Sequence, residues 1–377
     1  MIIHTSLLKD VLAHVGAAIN KNASLPILSA VCIKPGDDDS LLFVGTTLDQ
    51  AVQIKLESVE DILPTPVCVQ HANFFNIVKN LTGAETSLLI KENNWLEVRS
   101  GQSLYKLPTF SSDEFPDIPA GGVSAFVVKG QDFASDMEKC RLLASDDEGR
   151  YVLCGVNVLL NDGNVQMEAT DGRSATICPL TIQNGGVGEY SLLVPQIACR
   201  CIYGRFKDYA GNVVVRTDEN KRMISLSARF DNYSYTLSSR LIDGKYPNIK
   251  NVFAQVKDEF AFTLDVDAES FAKDVSRALI LREKNDDGNK VCISVCKERA
   301  SIVVGTTEGH ADIELDAEMK VVNECDILCN GKYLMAAMAS HVDGESPMAI
   351  SVIDEENPIL IEGGEGRRVL IMPIRKS

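Results

Sequence analysis

The residues of this chain that could do chemistry are few and scattered. Thr170-Asp171-Gly172-Arg173 offers a hydroxyl, a carboxylate and a guanidinium in one segment, a set that could hold a metal ion or a phosphate. The histidines available as bases or ligands are His4, His14, His71, His310 and His341. No His-Glu-x-x-His, Gly-x-Ser-x-Gly, Walker or Cys-x-x-Cys motif accompanies them. The sequence therefore predicts no catalytic residue, no metal site and no cofactor.

Glycines and cysteines also favour structural roles. The glycine-rich segments 185–188 and 363–366 lie between predicted strands, where they are typical of turns. The eleven cysteines are spread over predicted strands and helices, and pairs such as Cys199 and Cys201 lack histidines at metal-ligand spacing. We interpret them as buried, reduced thiols. Since no apolar stretch reaches about 18 residues and no signal peptide is evident, we expect a cytoplasmic protein without a membrane span.

A sequence repeat must position these residues. Amphipathic helices recur at intervals of roughly 60 to 70 residues, and each is followed by three short strands. The predicted helices cover residues 7–19, 74–81, 133–144, 196–206, 270–281 and 332–341. The apolar run 25–33 predicts the strand after the first helix, and 151–160 predicts the strand after the third. Because one helix and one small sheet cannot bury both apolar faces alone, the repeats should pair.

Two loops indicate how the repeats pair. Segments 114–122 and 243–248 are rich in proline and glycine, and both follow the third strand of an even-numbered repeat. They divide the chain into three predicted domains, 1–122, 123–253 and 254–377, each of a common domain size. The predicted fold class is α+β, with a pair of αβββ-type repeats in each domain.

The chain has a net charge of −16, but its positive and negative charges are unevenly distributed. An acidic total argues against a nucleic-acid partner, because affinity for phosphate comes from Lys and Arg. Acidic residues crowd loops such as 37–39 and 146–148, whereas the second, fourth and sixth predicted helices contain none. A helix layer could therefore present a positive face. Ordinary solvated helix faces would give the same pattern, so charge alone leaves both interpretations open.

Six short motifs are spread along the whole chain. They are Leu25-Pro26-Ile27-Leu28, Leu107-Pro108 with Glu114-Phe115-Pro116, Ala169-Thr170-Asp171-Gly172, Leu241-Ile242-Asp243-Gly244-Lys245-Tyr246-Pro247, Asn330-Gly331-Lys332-Tyr333-Leu334 and Met372-Pro373-Ile374-Arg375. Together these motifs resemble the bacterial DNA polymerase III beta subunit, the sliding clamp family. The resemblance implies a three-domain clamp fold and a ring-shaped head-to-tail homodimer around duplex DNA. Helices would line the inner face, with antiparallel sheets outside. The implied role is a processivity factor without catalysis of its own.

The resemblance also implies partners and sites. The partners are double-stranded DNA, bound without sequence preference, and DNA polymerase and clamp loader subunits, bound through short linear motifs. The implied peptide pocket consists of Leu153, Thr170, Gly172, Arg173, Ala175, Pro247, Val252, Leu370, Ile371, Met372, Pro373, Ile374 and Arg375. The implied DNA-facing residues are Lys9, Lys21, Lys79, Arg141, Arg200, Arg205, Lys207, Lys273, Arg277, Arg282 and Lys332.

The chain departs from the family pattern at both sites. After Thr170-Asp171-Gly172 the family usually continues His-Arg-Leu, whereas Arg173-Ser174-Ala175 follows here, which replaces a large aliphatic wall by a methyl group. The basic residue often found just before Leu25-Pro26-Ile27-Leu28 is Asn22 here. The positions that open the second and fourth helices, where basic side chains would be expected, are Ala72, Asn73, Gln196 and Ile197. An alternative is a clamp-like scaffold that binds peptides without encircling DNA. Charge reversal of Arg200, Arg205 and Lys207 would separate the two functions.

Overall fold

A computed structural model describes residues 1–20, 23–37, 39–57, 62–91, 94–118, 122–161, 163–186, 188–257, 259–281, 289–307, 309–339, 341 and 348–375. The chain forms two compact units, each discontinuous in sequence. Unit 1 comprises Met1–Gln131, Ile182–Gly185 and Arg200–Leu241, and unit 2 comprises Asp132–Thr181, Gly186–Cys199 and Ile242–Ser377. None of the helices in these described ranges is long and apolar enough to cross a membrane.

The α-helices of the described residues are α1 (Thr5–Val15), α2 (His71–Lys79), α3 (Gly130–Arg141), α4 (Gln196–Phe206), α5 (Ile249–Ala254), α6 (Ala268–Ala278) and α7 (Gly331–Ala339).

The strands are β1 (Ile2–His4), β2 (Ala30–Pro35), β3 (Leu41–Thr46), β4 (Gln50–Leu56), β5 (Val67–Gln70), β6 (Glu85–Lys91), β7 (Trp95–Ser100), β8 (Ser103–Phe110), β9 (Val123–Lys129), β10 (Gly155–Asn161), β11 (Asn164–Thr170), β12 (Ser174–Leu180), β13 (Asn184–Gly185), β14 (Glu189–Pro195), β15 (Asn212–Thr217), β16 (Met223–Arg229), β17 (Tyr233–Arg240), β18 (Phe262–Val266), β19 (Lys290–Val295), β20 (Ala300–Thr306), β21 (Gly309–Glu314), β22 (Ala317–Val321), β23 (Cys325–Asn330), β24 (Met348–Val352), β25 (Ile359–Glu362) and β26 (Arg368–Ile371).

The predicted repeat is confirmed, and so is the further short strand predicted before most helices, which precedes all six. The six copies are β1-α1-β2-β3-β4, β5-α2-β6-β7-β8, β9-α3-β10-β11-β12, β14-α4-β15-β16-β17, β18-α6-β19-β20-β21 and β23-α7-β24-β25-β26. All six predicted helices are present, with ends shifted by a few residues. The additional elements within the described part of the chain are β13, β22 and α5.

Unit 1 contains one antiparallel sheet of thirteen strands, in the order β1-β6-β7-β8-β5-β2-β3-β4-β17-β16-β15-β9-β13. Helix α1 buries Leu8, Val11, Leu12 and Val15, whose spacing of three and four places them on one face. It packs against α2, which buries Phe74. The apolar spacing of these helices therefore sets the side that they turn to the core.

Unit 2 contains two antiparallel sheets. Their orders are β14-β10-β11-β12-β26-β25-β24-β18-β22 and β21-β20-β19-β23. Helix α6 packs against α7, and Phe271 and Val275 of α6 join a hydrophobic core with Ile293 and Leu334. In the larger sheet β12 pairs with β26, with Ala175 opposite Leu370.

Two strands, β2 and β10, begin later than predicted. The predicted first residues of these two strands were wrong. Pro26–Ser29 forms a 3₁₀ turn and β2 begins at Ala30, because Pro26 has no N–H for a sheet ladder and suits the first position of a helical turn. Glu148–Leu153 is likewise a 3₁₀ segment, capped by the Asp147 side chain, and β10 begins at Gly155.

The two compact units divide the chain differently from the three predicted domains. Strand β4 of residues 1–122 pairs with β17 of residues 123–253 inside unit 1. Strand β12 of residues 123–253 pairs with β26 of residues 254–377 inside unit 2. Sheet pairing thus joins segments that the loop signals separate.

Candidate functional site

Unit 2 contains a cavity of about 630 Å³. It is lined by Gly149, Arg150, Tyr151, Val152, Leu153, Thr170, Gly172, Arg173, Ser174, Ala175, Lys245, Pro247, Asn248, Ile249, Val252, Pro358, Leu370 and Met372. These residues come from three stretches of chain and from the two ends of the β25-β26 hairpin. The volume is in the range of sites that take small molecules or short peptide side chains, about 300 to 1,000 Å³.

One wall of the cavity is the turn between β11 and β12. The Asp171 carboxylate accepts hydrogen bonds from the backbone N–H groups of Arg173 at 2.9 Å and Ser174 at 2.7 Å. The Thr170 hydroxyl donates to the Ser174 carbonyl and accepts from the Gly172 N–H at 3.0 Å. Gly172 has φ +86°, a left-handed conformation that favours glycine. The segment singled out as a possible metal or phosphate site is therefore a self-bonded turn.

A side chain from α7 also supports this turn. The Tyr333 hydroxyl donates to the second carboxylate oxygen of Asp171. Burial, followed by the bond to Asp171, raises the pKa of Tyr333, so the phenol remains protonated and acts as the donor. The Asp171 carboxylate is thus bonded on both oxygens and is directed into the turn.

The 3₁₀ segment before β10 forms a second wall. Arg150 donates from Nε to the Asp147 carboxylate at 3.0 Å and from Nη1 to the Asp171 carbonyl at 2.8 Å. The Asp147 carboxylate also accepts from the Gly149 N–H, and this bond, followed by the bond from Arg150, lowers the pKa of Asp147. Arg150 therefore bridges the two walls.

The floor of the cavity is apolar. Ala175 and Leu370, opposite each other on β12 and β26, are buried and belong to a hydrophobic cluster with Ile249 and Phe253 of α5. Val152 and Leu153 pack against the same cluster. Such a floor can bury an apolar group of a ligand. Its aliphatic side chains contain no group that could act as an acid or a base.

The segment 247–252 closes the remaining side. The Asn248 side chain caps α5 by accepting from the Asn251 N–H at 3.3 Å. Proline at position 247 limits the backbone before this cap. Val252, on the first turns of α5, is 45% exposed although it is aliphatic. An exposed Val beside an apolar floor provides further surface for a ligand.

The C-terminal residues divide between the cavity and the core. Met372 is 44% exposed at the rim, and its N–H donates to the Arg173 carbonyl at 2.8 Å. Ile371 is fully buried in the core of unit 2, because neighbouring residues of a strand face opposite sides. Pro373, Ile374 and Arg375 are not among the lining residues.

Nine of the thirteen residues implied for the peptide pocket therefore surround one cavity. They are Leu153, Thr170, Gly172, Arg173, Ala175, Pro247, Val252, Leu370 and Met372. The structure adds residues that sequence reasoning missed: Gly149, Arg150, Tyr151, Val152, Ser174, Lys245, Asn248, Ile249 and Pro358. Six of the nine lie within two positions of a predicted residue, which is the signal that could have identified them. Pro358 has no such signal, because it reaches the site only through the pairing of β25 with β26.

The basic residues implied for DNA contact fall into several groups. Lys21 and Arg282 lie outside the described residues. Four others already bind groups of the protein. Lys9 donates a hydrogen bond to the Leu81 carbonyl, and the other three form ion pairs within their own helices. These pairs are Arg141 with Glu138, Lys273 with Glu269, and Arg277 with Asp274. The exposed cations with no ion pair to another described residue are Lys79, Arg200, Lys207 and Lys332.

Arg205 differs from the other cations of α4. Its guanidinium lies over the Phe230 ring, donates to the Tyr233 hydroxyl at 2.7 Å and lies 3.2 Å from His14 Nε2. The Tyr233 hydroxyl in turn donates to Asp10 at 2.5 Å. Arg205 is therefore part of the packing of unit 1. These contacts hold its guanidinium in place and restrict its movement toward a phosphate.

Metal chemistry has no structural support in the described ranges, where no group of three or more His, Cys, Asp or Glu side chains could hold an ion. The described histidines are likewise separated: His71 bonds to the Leu12 carbonyl and His341 to the Ala337 carbonyl.

Two family models match the chain. The DNA polymerase III beta subunit N-terminal domain matches residues 1–119, and the central domain of the same subunit matches residues 127–248. A beta sliding clamp of Caulobacter vibrioides is 26% identical over 384 residues, covering 99% of this chain and 99% of that protein.

Solved structures agree along the full length. The beta subunit of DNA polymerase from Streptococcus pyogenes has a TM-score of 0.89 and 20% identity, covering 100% of this chain and 99% of that one. A sliding clamp from Pseudomonas aeruginosa bound to griselimycin has a TM-score of 0.88, 20% identity and the same coverage. The fold is that of the sliding clamps. With the two family models and the full-length relatives, the chain belongs to the DNA polymerase III beta subunit family.

Proposed function

We propose that this chain is a DNA sliding clamp, a non-catalytic processivity subunit that holds DNA polymerase and other DNA enzymes on duplex DNA. Family membership supports this function, and the cavity of unit 2 is the observation that carries it. Three predicted domains per chain, 1–122, 123–253 and 254–377, would close a ring as a head-to-tail homodimer in the cytoplasm. A separate clamp loader would open and load that ring.

The cavity suits a short linear motif of a partner protein. Its aliphatic floor at Ala175 and Leu370 would bury apolar anchor side chains, while the exposed Met372 and Val252 would cover them from the rim. Methionine adapts its shape to different neighbours, which lets one surface accept several partners. Such binding needs no catalytic group.

Contact with DNA would come from exposed cations on the helices. Lys79, Arg200, Lys207 and Lys332 are exposed, and α2, α4 and α7 carry no acidic residue. Contacts from Lys and Arg to phosphate are independent of base sequence, so they allow movement along the duplex. Retention would come from the closed ring and not from tight contact.

Tethering explains how such a protein raises processivity. A polymerase bound through its motif rebinds the template as an intramolecular event, at an effective concentration of about millimolar for a short flexible connection. The gain in apparent affinity is of the order of 10² to 10⁴-fold and needs no new polymerase contact with DNA.

Fluorescence polarisation with a labelled Gln-Leu-x-Leu-Phe peptide tests the cavity. The expected result is saturable binding that is weakened in a Met372→Ala variant, since the Met372 side chain covers the rim. Absence of binding to the intact chain at high protein concentration would contradict the proposed partner site.

A further inference from the structure

The cavity of unit 2 is apolar at its floor and basic at its rim. Of its eighteen lining residues, three are basic, namely Arg150, Arg173 and Lys245, and none is acidic. The chain as a whole has 53 acidic and 37 basic residues. The charge of this rim is therefore opposite to the charge of the protein that carries it.

One nearby carboxylate neutralises one of the three rim cations, and a second is engaged in its own turn. Asp147 is paired with Arg150 through a contact of 3.0 Å. Asp171 is directed into its own turn, where it accepts from two backbone N–H groups and from Tyr333. Arg173 and Lys245 are exposed, and neither forms an ion pair with another described residue. These two cations are available to a ligand.

The backbones of both cations are held in place. The Arg173 N–H donates to Asp171 at 2.9 Å, and the Arg173 carbonyl accepts from Met372. Lys245 precedes the buried Tyr246, which packs in the cluster beneath the cavity floor. The cations therefore originate from fixed points on the walls, and only their side chains have freedom to reach a ligand.

We propose that this cavity selects peptide segments in which acidic residues adjoin the apolar anchors, and that Arg173 and Lys245 recognise the acid. The inference rests on the proposed function, because it specifies the partner of the same cavity. The occupant is an extended segment of a partner protein, with apolar side chains on the floor at Ala175 and Leu370 and carboxylates at the rim.

The size of the effect follows from the exposure of these cations. One solvent-exposed ion pair changes affinity by about 1.4- to 5-fold, so two flanking acids should improve binding by about 2- to 25-fold at low ionic strength. Salt screens such pairs, since the Debye length falls from about 10 Å at 0.1 M to about 3 Å at 1 M. The preference should therefore disappear in high salt while apolar binding remains.

Two labelled peptides with the same Gln-Leu-Ser-Leu-Phe core test the proposal. One carries two flanking glutamates and the other two flanking glutamines, and both are titrated by fluorescence polarisation with the full chain. An Arg173→Gln/Lys245→Gln variant is compared with an Arg229→Gln/Lys290→Gln control, whose cations are exposed outside the cavity. We expect the acidic peptide to bind about 2- to 25-fold more tightly to the chain and to the control, and the ratio to approach one in the cavity variant.

The outcomes separate this inference from the proposed function. Equal affinity of the two peptides for the intact chain would overturn the inference and leave the peptide site in place. A ratio that survives in the cavity variant would overturn the assignment of Arg173 and Lys245. Failure of both peptides to bind the intact chain would contradict the proposed function itself.

Discussion

The guanidinium of Arg205 lies over the aromatic ring of Phe230, with its carbon 3.6 Å from the ring centroid. The same guanidinium carbon lies 5.6 Å from the ring centroid of Tyr233 and 5.1 Å from that of Tyr235. Arg200 and Lys207, which precede and follow it in sequence, are exposed. The basic residues near α4 thus have two roles, since one is a packing residue and two remain free for a phosphate.

Removing Arg205 should destabilise unit 1. Arg205→Gln loses the stacking on Phe230 and leaves the Tyr233 hydroxyl without its charged donor, at a cost of about 1 to 3 kcal/mol. Thermal unfolding should show a lower midpoint. Arg200→Gln on the same helix is the matched control and should unfold as the intact chain does. Equal midpoints for the two variants would show that the stack contributes nothing.

Charge reversal of the two exposed cations should impair work on DNA without loss of stability. Arg200→Glu/Lys207→Glu is expected to reduce clamp-dependent stimulation of a polymerase on primed circular DNA by about tenfold or more, because phosphate contacts are replaced by repulsion. Arg205 is left unchanged, so that a folding defect does not imitate a DNA defect.

An Arg229→Glu/Lys320→Glu variant provides the control for that experiment. It makes the same change in net charge at two exposed strand positions. Full stimulation by the control and loss in the helix variant would support the DNA-facing assignment of this region. Undiminished stimulation by both would contradict the assignment of Arg200 and Lys207 to the DNA-facing surface.

Adjacent residues at the end of β26 should respond oppositely to truncation. Ile371→Ala removes a fully buried core side chain and should lower the free energy of unfolding by about 2 to 5 kcal/mol. Met372→Ala removes a side chain that is 44% exposed at the cavity rim and should change stability by about 0.5 kcal/mol or less, while weakening the peptide. Unfolding midpoints and peptide titrations on both variants provide the measurement. A large loss of stability in Met372→Ala would mean that the Met372 side chain packs in the hydrophobic core and is not a surface for the peptide.

Gly172 should be required for the shape of the cavity wall. At φ +86° a side chain is strained, and a Cβ there would lie 3.1 Å from Arg150 Nη1. Gly172→Ala should cost about 1 to 2 kcal/mol and weaken peptide binding severalfold. Gly163, at φ +84° with nothing within 4 Å of the added Cβ, is the matched control. Gly163→Ala should lose similar stability and keep its peptide affinity; equal peptide affinity in both would disprove the role of Gly172.

His14 should make unit 1 sensitive to acid. Burial, followed by the charge of Arg205, lowers the pKa of His14, while Asp10 at 3.0 Å opposes this shift. The unfolded chain therefore binds a proton more readily than the folded chain, so stability falls as the pH drops through about 6.5 toward the lowered value. The fall in unfolding midpoint between pH 7.5 and 5.5 should be smaller in His14→Gln than in the intact chain. An identical fall in both would assign the pH dependence to other groups.

The six helices were predictable because their apolar residues repeat every three or four positions. Phe271, Val275 and Ala278 of α6 are buried on one face as that spacing requires. Strands with alternating faces and turns with glycine were predictable for the same local reason. The pocket residues around Gly172 and Met372 were reached through motifs of the family, because no local pattern distinguishes a cavity floor from a core strand.

The composition of the cavity and the exposure of the basic residues were decided by the tertiary structure. The sequence by itself determined the repeat, the helices, most strands and the family, since these depend on short-range periodicity or on short motifs. Which cations stay exposed and which residues share a cavity depend on contacts between distant segments, such as Arg205 with Phe230 or β12 with β26. A residue's neighbours in space follow from sheet order and helix packing, which local spacing does not encode, so only the folded chain shows that Arg173, Lys245 and Pro358 line one site.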